Sequence, residues 1–331
     1  MSFKGKEISR REFLSRGTKA AAGLMGVTAL APHTTPCAIR ERKEDFKMKI
    51  GMNLLLWTTH VSEKQFQLMA DLRKIGFNGV EIPLGEGDAK HYRTVRKGLD
   101  AEGLECTTIT SLAEETNPAS PDPAIRRAAV DQLKWAIDMA AELSSPVIGG
   151  PFHSAYKYFT GRGPTDDEKN WCAEVLRKAA EFAEKRSVTL AIEFINRFEC
   201  YLCNTVAGAL DLAGRVDHPN LGIHYDTHHA HIEEKSISGA IGRAASKIKH
   251  VHISENDRGT PGSGLVDWDE TYKSLHAINY DRWLVIEAFS TATPEFASDI
   301  HIWRDFAPTR EEIYRKGYAH IAEMWAKYST S

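Results

Sequence analysis

The chain contains no run of apolar residues approaching the roughly 18 that a membrane-spanning helix requires, which excludes a polytopic membrane protein. It also lacks an excess of either charge. Against 42 Lys and Arg stand 45 Asp and Glu, a net charge of −3, so there is no basic footprint for a nucleic-acid backbone. Cysteine is scarce, and an odd count of five argues against a disulfide framework. A doubly wound nucleotide fold should place a glycine-rich turn after its first strand, and Met52-Asn-Leu-Leu-Leu-Trp57 contains no glycine. What is present is an ordinary globular composition, 42% hydrophobic and 26% charged over 331 residues, which excludes disorder as the main state.

The first segment has its own logic. Arg10-Arg11 precedes Phe13-Leu14, a weakly apolar stretch follows from Ala20 to Ala31, and Ala29-Leu-Ala31 closes it. That order resembles a twin-arginine export signal, which implies delivery to the periplasm and removal of the segment. Residues 1–33 are therefore expected to be the signal and 34–47 a linker, leaving 48–331 as the catalytic domain. The first 33 residues carry a net +4, which leaves −7 for the remainder.

Beyond the linker, short β-rich apolar runs recur: Met48–Leu56, Gly79–Ile82, Glu105–Ile109, Pro146–Gly149, Val188–Phe194, Leu221–Tyr225, Ile248–Ile253 and Trp283–Ile286. Amphipathic stretches with helix signals lie between them. Ser62-Glu-Lys-Gln65 opens one and Gly76 ends it; Thr165-Asp-Asp-Glu168 opens another. Eight runs spaced about 34 residues apart predict an α/β fold, a single-domain (β/α)₈ TIM barrel. Two longer loops, Ser111–Asp122 and Pro151–Asp166, would rim the mouth of that barrel.

Four consecutive strands each carry one ionisable residue at or near the carboxyl end, where barrel enzymes keep their reactive groups. They are Glu193, Asp226, His252 and Glu287. Three carboxylates and an imidazole meeting in one place would repel unless a cation sat between them. Three oxygens and one nitrogen suit Mn²⁺, or Mg²⁺ or Co²⁺, better than a closed structural zinc site. Glu193 and Glu287 stand about 135° apart around an eight-strand ring, so they reach a central substrate from different sides. Removing a proton from the carbon beside a ketone on one face, through an enediolate, and returning one on the other face inverts that carbon. Other groupings read as structure: His224, His228 and His231 as core or rim imidazoles, Cys200-Tyr-Leu-Cys203 as buried thiols, and Gly262-Ser-Gly264 as a tight turn.

Ala191–Glu199 continuing to Leu202-Cys-Asn204, then Asp226-Thr-His-His229, His252–Arg258 and Ile286-Glu-Ala-Phe289 together resemble the D-tagatose 3-epimerase / D-psicose (allulose) 3-epimerase family of the xylose isomerase-like barrels. The resemblance extends over about residues 48 to 327. It implies one divalent ion held by Glu193, Asp226, His252 and Glu287, with Glu193 and Glu287 as the acid/base pair. It also implies that Glu199, His229 and Arg258 contact substrate oxygens, that the substrate is a ketose or keto-sugar, and that chains can pair into a homo-oligomer. Two departures stand out. Asn53-Leu54-Leu55 occupies the place of an aromatic wall, and Tyr156 stands where a tryptophan is common, which predicts a pocket more polar on one side. A 3-keto-sugar or 3-keto-glycoside epimerase or isomerase, or an aldose–ketose isomerase, shares the same chemistry. From another class, a non-catalytic exported sugar-binding protein would gain nothing from two carboxylates on opposite faces.

Overall fold

The computed structural model describes residues 48–329; the expected export signal, the linker and Cys37 lie outside the described residues. Eight strands, β1 (Lys49–Asn53), β2 (Gly79–Pro83), β3 (Glu105–Ile109), β4 (Val147–Gly150), β5 (Thr189–Glu193), β6 (Leu221–Asp226), β7 (Ile248–Ile253) and β8 (Trp283–Ile286), follow the predicted runs. They form a closed barrel in chain order, all parallel, with β8 returning to pair with β1. Around and between them are α1 (Phe66–Ile75), α2 (Ala89–Glu102), α3 (Pro123–Glu142), α4 (Asp166–Glu184), α5 (Val206–Val216), α6 (Thr227–Glu233), α7 (Ile237–Arg243), α8 (Trp268–Ala277), α9 (Pro294–Asp299) and α10 (Arg310–Ser329).

One expected strand is corrected. The first run ends at Asn53, and Leu54–Leu56 forms a single 3-10 turn. The cause is local: Asn53 Oδ1 accepts the Leu55 N–H at 2.8 Å, a side-chain cap that turns the chain out of extended conformation. Each of the other strands agrees with its predicted run to within one residue at either end. The helix starts also form as read. Gln65 Oε1 accepts the Ser62 N–H at 2.9 Å before α1, and Glu168 Oε2 accepts the Thr165 N–H at 2.7 Å before α4.

Alternation along each strand sorts the side chains. On β2, Val80 and Ile82 belong to the main hydrophobic core, and Glu81 between them is fully buried. Each large apolar side chain so buried contributes about 1.5–3 kcal/mol, which is what allows the barrel to tolerate a polar interior. Parallel register aligns that interior. Asn53, Glu81 and Thr107 are neighbours across β1, β2 and β3, and Glu193, His224 and His250 across β5, β6 and β7, with Asp226 beside His252 one step nearer the mouth.

The loops after β3, β4 and β5 are tied together at the mouth. Leu112 and Ala155 form an isolated parallel bridge, Tyr156 N–H donates to the Leu112 carbonyl at 2.9 Å, and Lys157 N–H donates to the Glu199 carbonyl at 3.0 Å. The two long rim loops are thus anchored to the segment that carries Glu199. No helix among the described residues is long and apolar enough to cross a membrane.

Candidate active site and metal centre

Glu193 and Asp226 end their strands, His252 lies one residue short of its strand's end, and Glu287 follows β8, its N–H still donating to the Ile253 carbonyl at 3.2 Å. All four are buried, and each offers a ligand atom within 4.8 Å of the others. His252 Nδ1 sits among the carboxylates, 3.4 Å from Glu287 Oε1, 3.5 Å from Asp226 Oδ2 and 3.8 Å from Glu193 Oε1. That nitrogen is buried and has no hydrogen-bond partner. Ligand bonds to a small divalent ion are about 2.0–2.2 Å, so ligand atoms on opposite sides stand a little over 4 Å apart. The residues present fit such an ion: a buried ring nitrogen without a partner, three acidic oxygens beside it, and a spacing that one ion spans.

Electrostatics point the same way. Burial, reinforced by the charges of Glu287 and Asp226 and opposed by His252, pushes the Glu193 carboxyl well above the usual carboxylate range. Burial also works to raise Asp226, but Arg258, followed by His229 and His252, outweighs it and keeps that carboxyl ionised well below its ordinary value. Asp226 divides its oxygens between two tasks. Oδ1 caps α6, accepting the N–H groups of His228 at 2.6 Å and His229 at 3.2 Å, while Oδ2 faces the cluster.

The expected substrate contacts adjoin the same cluster. Arg258 is held at φ +64, a left-handed backbone that is uncommon for a side-chain-bearing residue. Its Nη1 donates to Glu287 Oε2 at 2.8 Å, Ser254 Oγ at 2.8 Å and Asp226 Oδ2 at 3.1 Å, and its Nη2 stands 3.0 Å from His229 Nε2. The Asn196 N–H donates to His229 Nδ1 at 3.1 Å, and burial keeps that imidazole neutral. Glu199 Oε1 accepts the Tyr156 hydroxyl at 2.7 Å, and Asn196 Nδ2 donates to Oε2. Every residue named from the sequence is therefore in one place. Reading from the sequence missed Tyr156 and Asn196 as the supports of Glu199.

It also missed Glu81, although an acid inside the apolar run Val80–Ile82 is the same signal that marked Glu193. Glu81 lies on the far side of His252, between His252 Nε2 at 2.5 Å and His250 Nε2 at 2.6 Å. The expected polar wall at Asn53 needs correcting as well. Its side-chain amide donates to Glu81 Oε1 at 2.9 Å and to Glu287 Oε1 at 3.3 Å, so it is spent within the protein; Leu54 is buried and Leu55 packs beside Phe289. His224 fills the barrel interior with its Nδ1 3.7 Å from Glu193 Oε2. Cys106, Cys172, Cys200 and Cys203 are buried and free, as expected of structural thiols.

Comparison with known proteins follows the geometry. Residues 69–324 match the model of the xylose isomerase-like TIM barrel family. The chain is 33% identical to the ketose 3-epimerase of Arthrobacter globiformis, over 86% of this chain and 99% of that protein. It is 30% identical to the D-psicose 3-epimerase of Ruminiclostridium cellulolyticum, over 85% of this chain and 97% of that one. The crystal structure of D-psicose 3-epimerase with D-tagatose from Clostridium cellulolyticum H10 superposes with a TM-score of 0.77 at 29% identity, covering 85% of this chain and 99% of that one.

Proposed function

Because this chain belongs to the xylose isomerase-like TIM barrel family, among its ketose 3-epimerases, we propose that it is a divalent-metal-dependent sugar epimerase that inverts the carbon next to a ketone. The observation that carries the reading is the unpartnered His252 Nδ1 inside a ring of three carboxylates, two of which flank the cleft from strands three apart. We assign Glu193, Asp226, His252 and Glu287 as ligands of one ion, Mn²⁺ by preference. When bound, the ion supplies Lewis-acid polarisation of the ketone and the adjacent hydroxyl, which acidifies the C–H between them.

The protein's own groups do the rest. One of Glu193 and Glu287 removes the proton from its face while the other delivers a proton to the opposite face, and the roles exchange for the reverse reaction. Arg258, through its bonds to Asp226 and Glu287, fixes the second glutamate and presents remaining N–H donors to substrate oxygens. Glu199, braced by Tyr156 and Asn196, accepts from a sugar hydroxyl, and neutral His229 completes the polar side. Burial of all four ligand residues keeps bulk water from competing for the abstracted proton.

The test is incorporation of solvent deuterium in D₂O with Mn²⁺ across ketohexoses, ketopentoses and 3-keto-glycosides. Label at the inverted centre of a ketose product is the expected result. An aldose product would make it an aldose–ketose isomerase, and sugar binding without exchange would make it a binding protein. The basic-apolar-small order of residues 1–33 supports our further proposal that the enzyme works outside the cytoplasm.

A further inference from the structure

The four proposed ligands come from β5–β8, and the opposite arc of the barrel, β1–β3, supplies none. That arc nevertheless carries a buried polar ladder of Asn53, Glu81 and Thr107, aligned by strand register and fully shielded from solvent. A carboxylate at this depth is costly unless its lone pairs are used, and those of Glu81 are used completely. Oε1 accepts from His252 Nε2 at 2.5 Å and Asn53 Nδ2 at 2.9 Å; Oε2 accepts from His250 Nε2 at 2.6 Å and Thr107 Oγ1 at 2.9 Å.

We propose that Glu81 is the positioning residue of the metal centre, fixing the tautomer and direction of His252 and, through Asn53, the direction of Glu287. The reasoning rests on donor and acceptor counts. An ionised carboxylate can only accept, so in the neutral form that binds a cation both rings carry their proton on Nε2 and leave Nδ1 as a lone pair. For His252 that lone pair is the atom that faces the three acids and lacks a partner. Were Nε2 to lose its acceptor, the proton could move to Nδ1, and an N–H would then point at the cation. The Asn53 amide extends the same control, because the Nδ2 that donates to Glu81 also stands 3.3 Å from Glu287 Oε1. An outer partner of this kind orients a metal-binding histidine and typically changes metal affinity by about 10- to 100-fold when removed.

This inference rests on the epimerase reading, and its test separates the two. Mn²⁺ affinity is measured by electron paramagnetic resonance on the full chain for wild type, Glu81→Gln and Glu81→Asp, with circular dichroism to confirm the fold. Ring tautomers are read from ¹⁵N-histidine NMR of the Mg²⁺-loaded proteins. The expected result is an Nε2–H tautomer for His250 and His252 in wild type. In Glu81→Gln the affinity should fall about 10- to 100-fold, with at least one of the two rings changing tautomer. Glu81→Asp keeps the charge but is one methylene too short to reach both rings, so an intermediate loss is expected; this variant alone decides if the glutamine protein does not fold. Wild-type affinity and unchanged tautomers in either folded variant would overturn the role of Glu81 and leave the epimerase reading standing. A wild-type protein that binds no Mn²⁺ would overturn that reading, and this one with it.

Discussion

Glu193 at the end of β5 and Glu287 just after β8 are both buried in one cluster, and each is expected to be indispensable for a different half of the same reaction. Glu193→Gln and Glu287→Gln should each lower epimerisation by about 10²- to 10⁴-fold. The residual exchange of the substrate C–H with solvent, followed by NMR in D₂O, should start from one epimer only in each variant; full turnover in either would remove the two-base assignment. The raised Glu193 carboxyl has a pH consequence. Without the ion, burial and then the neighbouring acids favour its protonated form, and opposing acids keep His252 protonated against the pull of burial. Loading must displace those protons. Below the raised Glu193 range protons compete with Mn²⁺, and affinity should climb as pH rises through it, by up to about tenfold per unit for each proton released. Calorimetric titration from mildly acidic to neutral pH reads this; a flat profile would show that no carboxyl in the cluster is shifted upward.

Among the elements, β4 contributes none of the proposed ligands and still shapes the interior. A Cβ at Gly149 would lie 2.8 Å from His224 Nδ1 and 3.2 Å from His250 Cδ2, so the missing side chain is the space that two imidazoles occupy. Gly149→Ala should cost about 1–3 kcal/mol in urea unfolding through overpacking. It should also lower turnover, because His224 packs edge-on against His252 with ring centres 4.0 Å apart. Gly163→Ala, where nothing stands within 4 Å, is the control and should change neither. Strand positions were legible because alternation and strand ends are local properties; the early end of β1 was not, because a single side-chain cap at Asn53 overrode an apolar run that reads as strand.

For the whole molecule, an ion that binds the folded chain and not the unfolded one must raise its stability. At a hundredfold excess over Kd the gain is about 2.7 kcal/mol, which for a domain of this size is about 5 °C in Tm. Chelation should lower Tm by that amount and abolish activity, and added Mn²⁺ should restore both. Export predicts a shortened chain: N-terminal sequencing of protein from the periplasmic fraction should begin just beyond Ala31, and a start at Met1 would refute the signal.

The chain's own order of residues was enough to determine the eight-fold repeat and to pick out the four proposed ligands at or near its strand ends. Both depend on spacing along a single stretch: where an apolar run stops, and which charged residue stops it. The support of those ligands was decided only by closure. Glu81 is 169 and 171 residues away from His250 and His252, and nothing local to β2 tells an inward acid which strand it will face. That pairing is set by the stagger at which eight tilted strands close into a barrel, which joins the arc without proposed ligands to the arc that carries them.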